Sequence, residues 1–285
     1  MKKVVDGPDF GFARAAQLML PKHDRLELVL VGCGGTGSWL APAVVRLARL
    51  AGDGEREVTV SFVDPDTVEE VNIPRQNFCD AEIGRKKAET LAARYSAAWG
   101  VEIGVSAEPF RPHRGVGWGG VTILIGCVDN AAARKSLAGA LKVNRGQGLP
   151  LVWWLDCGNS NEHGQVLLGS ASTREGLQRA FPSPKICNAL PSPAMQSPEL
   201  LKPRPEGTAK KKMSCAELQA ANAQSLAVNQ RVAAEAADYL MRLVVGPPLK
   251  RFATHFDLVT GSARSRPITP GEVMSCRGTS LQGQG

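Results

Sequence analysis

Acidic, amide and cationic side chains are concentrated in residues 64–76, which read D-P-D-T-V-E-E-V-N-I-P-R-Q. Asp64 directly follows an apolar stretch that is typical of a buried strand. A carboxylate at the end of such a strand accepts hydrogen bonds from ribose hydroxyls. Asp66, Asn72 and Arg75 come next, where a triphosphate and its metal would lie beside that ribose. The segment therefore favours a nucleotide site over the alternative, an ordinary solvated loop.

A glycine-rich turn, G-C-G-G-T-G at Gly32–Gly37, precedes this segment. Residues 26–31 are apolar and rich in branched side chains, as expected for a strand buried on both faces. Residues 38–50 carry apolar residues at helical spacing. The pattern predicts a strand, a turn and a helix whose N-terminal N–H groups attract an anion. NAD, FAD and ATP all remain open at this step.

The glycines of the turn have separate expected roles. Gly32 allows the tight turn, Gly34 lets the backbone approach a phosphate, and Gly37 lets the helix and strand pack closely. Gly35 completes the predicted phosphate-binding set.

Two adjacent lysines open the next predicted helix. Residues 83–89 read I-G-R-K-K-A-E, and Lys86 or Lys87 could turn back toward phosphates as a mobile cation. The alternative is that both amines are solvated, which is usual for lysines on helices.

A further acidic and amide pair, Asp129 and Asn130, follows a third predicted strand, residues 121–125, and precedes a helix from Ala131 to about Val143. Ligands of open α/β sheets bind beyond the carboxyl ends of the strands, so both residues are site candidates. The alternative for either one is a helix N-cap.

Together these motifs resemble the ThiF/MoeB family, which shares its adenylating domain with the ubiquitin-activating enzymes. The resemblance covers about residues 25–260. The motifs that carry it, in chain order, are the glycine turn, D-x-D-x-V at Asp64–Val68, N-x-x-R-Q at Asn72–Gln76, G-x-x-K-A at Gly84–Ala88, and V-D-N at Val128–Asn130 with Arg134.

The resemblance implies chemistry with ATP and Mg²⁺ in which a carboxylate attacks the α-phosphate, giving an acyl-adenylate and pyrophosphate. Asp64 would hold the ribose, Lys87 would neutralise charge in the transition state, and Asp129 would bind the magnesium. Positioned positive charge is what such a transfer needs. The implied ATP-binding residues are Gly32, Gly34, Gly35, Gly37, Asp64, Asp66, Asn72, Arg75, Gln76, Lys87 and Asn130.

The resemblance also implies partners. The activated carboxylate would be the C-terminal glycine of a small ubiquitin-like or sulfur-carrier protein. The enzyme would be a homodimer in which an N-terminal arginine of one subunit, Arg14 or alternatively Arg25, reaches the ATP site of the other.

The seven cysteines show no disulfide-framework spacing and no C-x-x-C pair, so neither a stapled fold nor a structural zinc is expected. Some family members load the acyl group or sulfur onto a cysteine. Cys215 opens S-C-A-E before a long helix, where a helix N-terminus would lower the pKa of a thiol. Cys187, in a Pro-rich loop, is the alternative thiol. The other interpretation of each is an unreactive small residue.

The expected fold is α/β, with a Rossmann-like, mostly parallel sheet, helices on both faces and antiparallel C-terminal strands. Residues 1–24 form an N-terminal segment and residues 25–260 the adenylating domain. Residues 181–213 are expected to be a mobile crossover loop, because they are rich in proline and end in a basic run. Residues 261–285 lack periodicity and are expected to be a disordered tail.

The formal net charge of +7 could attract nucleic acid or an acidic protein, although no aromatic residues interleave the basic clusters. No apolar run reaches the length of a membrane span, and the N-terminus does not resemble a signal peptide, so the cytoplasm is the expected location.

Three alternatives stay open. Some relatives activate a carboxylate on a modified tRNA, and the basic charge is compatible with that substrate. An NAD(P)-dependent oxidoreductase would share the glycine turn, but it has no need of the D-x-D and N-x-x-R-Q motifs. A non-catalytic nucleotide-binding scaffold would bind ATP without releasing pyrophosphate.

Overall fold

The structure is a computed structural model, and the part of the chain that it describes is residues 10–52, 56–112, 116–117, 119–146, 148–160, 162–203 and 215–276, with the backbone alone at residues 10 and 215–225. The strands are β1 (Gln17–Leu18), β2 (Arg25–Val31), β3 (Glu57–Val63), β4 (Ile103–Ser106), β5 (Val121–Gly126), β6 (Val152–Asn159), β7 (His163–Gly169), β8 (Ile186–Cys187), β9 (Arg251–Asp257) and β10 (Ala263–Pro267). The helices are α1 (Phe10–Ala13), α2 (Gly35–Ala51), α3 (Lys87–Trp99), α4 (Ala131–Ala140), α5 (Pro193–Gln196), α6 (Cys215–Val244) and α7 (Pro270–Met274).

Eight strands form one mixed sheet in the order β10-β9-β7-β6-β5-β2-β3-β4. The five strands from β6 to β4 in that order run parallel, while β7, β9 and β10 pair antiparallel. The predicted fold class is confirmed. The chain moves outward from β2 to β4 on one side and then returns to place β5 on the other side. This reversal between β2 and β5 is where an open α/β sheet leaves a crevice for a ligand.

The central strands are apolar on both faces because helices cover both faces. Leu28 and Leu30 of β2 face a large core that includes residues of α2, α3 and α6. Val29 and Val31 face the opposite way, toward a smaller core that includes Leu137 of α4. A strand buried on both faces has a predominantly apolar sequence, and this is why β2 and β5 could be predicted.

The segment 261–285, expected to be disordered, is ordered in the part that the structure describes, and the expectation is wrong there. Strand β10 pairs antiparallel with β9, and α7 follows it. The side chains of Ile268 and Val273 are fully buried. Arg266 bonds Glu272 at 2.9 Å and lies over the ring of Phe252. Long-range pairing and two buried side chains therefore order a polar sequence.

The Pro-rich segment is also less loop-like than expected. Its described part, residues 181–203, contains β8 and α5, and β8 pairs parallel with β1 near the N-terminus. The remainder of the predicted crossover loop, residues 204–213, lies outside the described residues. Within the described chain, none of the helices combines the length and the apolar character needed to cross a bilayer.

Candidate functional site

A cavity of about 650 Å³ lies at the carboxyl ends of β2, β3 and β5, at the reversal in strand order. It brings together residues from all five of the motifs named in the sequence. The predicted site residues that line it are Gly32, Gly34, Gly35, Asp64, Asp66, Asn72, Arg75, Gln76, Lys87, Asp129 and Asn130.

The glycine turn forms one wall of the cavity. Gly32 adopts φ 89°, a left-handed conformation that glycine accepts most easily. Gly37 does not line the cavity. A Cβ atom there would overlap the carbonyl oxygen of Gly32, so glycine is needed at this position for close packing. Helix α2 begins at Gly35, so its unpaired N–H groups are directed at the cavity. This wall is suited to an anion such as a phosphate.

Asp64 ends β3 with its carboxylate held by two backbone donors. Its Oδ2 accepts a hydrogen bond from the Cys33 N–H at 2.5 Å, and its Oδ1 accepts one from the Asp66 N–H at 2.8 Å. Burial raises the pKa of Asp64, while these donors and Lys87 act in the opposite direction. The side chain is therefore fixed beside the glycine turn, with acceptor capacity left for a hydroxyl donor such as a ribose.

Lys87, and not Lys86, is the lysine that faces the cavity. Its side chain is almost completely buried, and its Nζ lies 3.2 Å from Oδ2 of Asp66. The Nζ of Lys86 instead donates to the carbonyl oxygen of Pro65 at 2.6 Å. The two adjacent lysines point apart because they occupy successive positions at the start of α3.

Asn72, Arg75 and Gln76 also line the cavity. Asn72 is buried and accepts the backbone N–H of Glu69 at 3.2 Å, so it shapes the loop. The Oε1 atom of Gln76 is buried and has no hydrogen-bond partner among the residues that the structure describes. Buried amide oxygens are normally hydrogen-bonded, so this atom favours a donor supplied by a bound molecule.

Asp129 and Asn130 divide the two roles that the sequence left open. Asn130 is the N-cap of α4, accepting the Ala133 N–H at 2.8 Å. Asp129 is exposed in the cavity, and its Oδ1 accepts a 3.5 Å contact from the Asn130 amide. Behind them, Arg134 of α4 donates from Nε to Asp156 of β6 at 3.0 Å, and both residues are buried. This ion pair fixes α4, and with it Asp129, against the sheet.

The carboxylates of the cavity fit Mg²⁺ better than a metal that needs three or more protein ligands. Within the described ranges there is no group of three or more His, Cys, Asp or Glu side chains that could hold a metal ion by themselves. One free carboxylate beside a phosphate-binding wall suits Mg²⁺, which is usually bound by one or two carboxylates, substrate phosphates and water.

Several lining residues were missed by the sequence interpretation. Thr36, Asn159 and Asn229 form the floor of the cavity, and Phe110 and Arg111 lie at its rim. Asn159 ends β6 and Asn229 lies in the middle of α6. Neither residue belongs to a local motif, and only the tertiary fold brings them to the glycine turn.

Of the two candidate thiols, the structure describes the side chain of Cys187 alone, and it differs from the expectation. Cys187 is buried in β8, its Sγ donates to the Ala189 carbonyl oxygen at 3.1 Å, and burial raises its pKa to about 12. A protonated thiol inside a strand is not placed to accept an acyl group. Cys215 is the first residue of α6, but its side chain lies outside the described residues.

The candidate arginines are both outside the cavity of their own chain. Arg14 is exposed just after α1. Arg25 begins β2, at the opposite end of the strand from the glycine turn, and pairs with Glu57 at 3.0 Å. Within the described residues, Arg25 forms an ion pair and Arg14 does not.

Comparisons with known proteins agree with this geometry. The ThiF family model matches residues 11–276. Among solved structures, MccB of E. coli superposes with a TM-score of 0.51 and 13% identity, covering 91% of this chain and 67% of MccB. MccB with succinimide gives 0.51 and 14%, covering 85% and 63%, and PaaA gives 0.48 and 15%, covering 85% and 64%. This chain thus spans about two thirds of the length of those proteins.

No curated protein matches by sequence. At identities of 13–14% the superposition on MccB shows the fold alone. The family model, in contrast, matches nearly the whole described chain. The chain therefore belongs to the ThiF family.

Proposed function

We propose that this protein uses ATP and Mg²⁺ to adenylate a carboxylate. The observation that carries the proposal is the convergence of Asp64, Lys87, Asp129 and the glycine turn on one cavity at the reversal in strand order. An oxidoreductase would need the glycine turn and Asp64, but it would have no use for a buried lysine and a free carboxylate facing the same space.

In the proposed reaction, a carboxylate oxygen attacks the α-phosphorus of ATP, and the bond from that phosphorus to the bridging oxygen breaks. Pyrophosphate leaves with the bonding electron pair. Asp64 holds the ribose, and the N-terminus of α2 with Arg75 and Lys87 stabilises charge on the phosphate oxygens. Asp129 would hold the magnesium, which supplies further charge neutralisation when it is bound.

The substrate we propose is a carboxylate at the end of a protein or peptide, namely the C-terminal glycine of a ubiquitin-like or sulfur-carrier protein. MccB, which has a similar fold at 14% identity and a TM-score of 0.50, has been solved with AMPCPP and MccA. A carboxylate on modified tRNA is the second candidate, because the net charge of +7 favours a polyanion.

The test is ATP–pyrophosphate exchange with purified protein, with small proteins that end in Gly-Gly and bulk tRNA offered as separate partners. Exchange that requires one partner and is lost in Lys87→Ala would support the proposal and identify the substrate class. ATP binding without exchange for any partner would favour the scaffold, and NADH binding without ATP binding would favour the oxidoreductase.

We also propose that the enzyme is a homodimer in which Arg14 enters the partner's site. Mixing Arg14→Ala with Lys87→Ala subunits tests this directly. Mixed dimers would contain one site with both residues intact, so exchange should return to about half of the wild-type rate per dimer. Full activity of Arg14→Ala alone would contradict the proposal.

A further inference from the structure

Asn229 is a buried polar residue that no motif assigned to the site. Its side chain is only 2% exposed, yet it lines the cavity. It belongs to α6, which packs against α2. A buried amide costs free energy unless its donors and acceptors are paired, so its partners indicate what it is there to hold.

Those partners come from three different parts of the cavity. The Oδ1 of Asn229 accepts from the Thr36 hydroxyl at 3.3 Å and from the Asn159 amide. Its Nδ2 donates to the carbonyl oxygen of Arg75 at 3.3 Å. Asn159 also donates to the Thr36 hydroxyl at 3.2 Å, which closes the network. One amide therefore joins the phosphate-binding turn, the end of β6 and the backbone of a cationic site residue.

The fit around this amide leaves little space. A Cβ atom added at Gly35 would lie 2.8 Å from Oδ1 and 2.9 Å from Nδ2 of Asn229, and its nearest neighbours would all be atoms of that amide. Gly35 has no positive φ. Glycine at this position is therefore required by the approach of Asn229 and not by backbone conformation.

We infer that Asn229 is a positioning residue for the nucleotide, fixing the glycine turn and Arg75 relative to each other. The inference rests on the proposed use of ATP, but not on which carboxylate is activated. A displacement of about 1 Å in a positioned group can cost about 100-fold in rate. One shared amide can therefore control how the glycine turn and Arg75 are aligned.

The first test compares Asn229→Asp with wild type. The aspartate keeps an acceptor for Thr36 and Asn159, but it places a second oxygen against the Arg75 carbonyl and a negative charge beside the phosphates. The affinity for ATP with Mg²⁺, measured by calorimetry, should fall about tenfold or more, and kcat for exchange should fall with it.

Asn144→Asp is the matched control. Asn144 also joins several backbone groups, donating to Val152 and Ser170 and accepting from Leu151, but it lies outside the cavity. Its variant should lose thermal stability while keeping the ATP affinity of the folded protein. If both variants lose stability but keep wild-type ATP affinity, Asn229 is merely structural and the inference is overturned.

Gly35→Ala supplies a second, independent measurement. The added methyl group collides with Asn229, so ATP affinity should fall at least about tenfold. Asn229→Ala removes the same amide, so the combined loss of binding free energy in the double variant should be smaller than the sum of the two single losses. Wild-type affinity in Gly35→Ala, or additive losses in the double variant, contradicts the inference.

These outcomes separate the two proposals. Wild-type protein that binds ATP but exchanges with no partner would refute adenylation, while the affinities would still decide the role of Asn229. Wild-type protein that does not bind ATP would refute both.

Discussion

The Nζ of Lys87 lies 3.2 Å from Oδ2 of Asp66, and the two side chains differ in exposure, at 7% and 65%. The backbone N–H of Lys87 also donates to the Asp66 carbonyl oxygen at 3.0 Å. Asp66 therefore holds the ammonium group at the edge of the cavity. Because a largely exposed carboxylate binds an amine weakly, phosphate oxygens can replace it when a triphosphate enters.

The first prediction concerns this lysine. Lys87→Ala should lower the rate of ATP–pyrophosphate exchange about 100-fold or more, because it removes a positioned charge from the transition state. Lys86→Ala is the control, since Lys86 does not line the cavity and its amine is bound to the carbonyl oxygen of Pro65. Its loss should change the rate less than about twofold. Equal losses in both variants would show that helix α3, and not the Lys87 charge, is what matters.

The second prediction separates the metal from the helix cap. Asp129→Asn should raise the Mg²⁺ concentration that gives half-maximal exchange about tenfold or more, because a neutral amide is a weaker magnesium ligand. Asn130→Ala should instead lower the free energy of unfolding by about 1 kcal/mol, because α4 loses its N-cap. An unchanged Mg²⁺ requirement in Asp129→Asn would remove that residue from the metal site.

The third prediction is a pH dependence. Burial raises the pKa of Asp156 above its ordinary value, although Arg134 acts to lower it. An aspartate whose pKa is raised by folding contributes stability at low pH, and that contribution is lost as the pH rises through the raised pKa. Urea unfolding of wild type and Asp156→Asn should show wild type losing stability relative to the variant as the pH rises above the ordinary aspartate pKa of about 4. A difference that moves the other way would mean that Arg134 dominates.

The fourth prediction concerns thiol reactivity. The pKa of about 12 for the buried Cys187 keeps it protonated at neutral and mildly alkaline pH. Iodoacetamide at about pH 8 should therefore modify the exposed Cys79 and leave Cys187 unmodified in native protein, as peptide mapping would show. Rapid modification of Cys187 would show that β8 opens in solution.

The Cys215→Ala variant should keep wild-type ATP–pyrophosphate exchange and lose only a later transfer of the acyl group or sulfur.

The fifth prediction tests the ordered C-terminal strand and helix. Ile268→Ala should lower the free energy of unfolding by about 2–4 kcal/mol, because its side chain is fully buried. Val259→Ala is the control, since 67% of that residue is exposed and the change should be within about 0.5 kcal/mol. A truly disordered segment would make the two variants equally harmless.

The sequence was a good guide wherever short-range pattern determines structure. Strands β2 and β5 are predominantly apolar, and the glycine turn lies between β2 and a helix, so both strands could be predicted. The residues of the cavity from Asp64 to Gln76 lie within one segment, and their shared location followed from it.

The remaining features depend on contacts between distant residues. Asn159 and Asn229 are 70 positions apart, and neither stands in a recognisable spacing with the glycine turn. The sequence could not place Cys187 in a strand, because β8 has two residues and exists only through its pairing with β1. Strand β10 is polar, and its order comes from β9 rather than from its own propensity.

The pairing of β1 with β8 also constrains the order of events during synthesis on the ribosome. Besides that pairing, the N–H of Leu18 donates to the Leu249 carbonyl and the N–H of Ala16 to the Ile268 carbonyl. A stretch whose hydrogen-bond partners are translated much later cannot dock early. This stretch therefore remains undocked in the nascent chain while the parallel strands assemble. Its docking is a late step of folding.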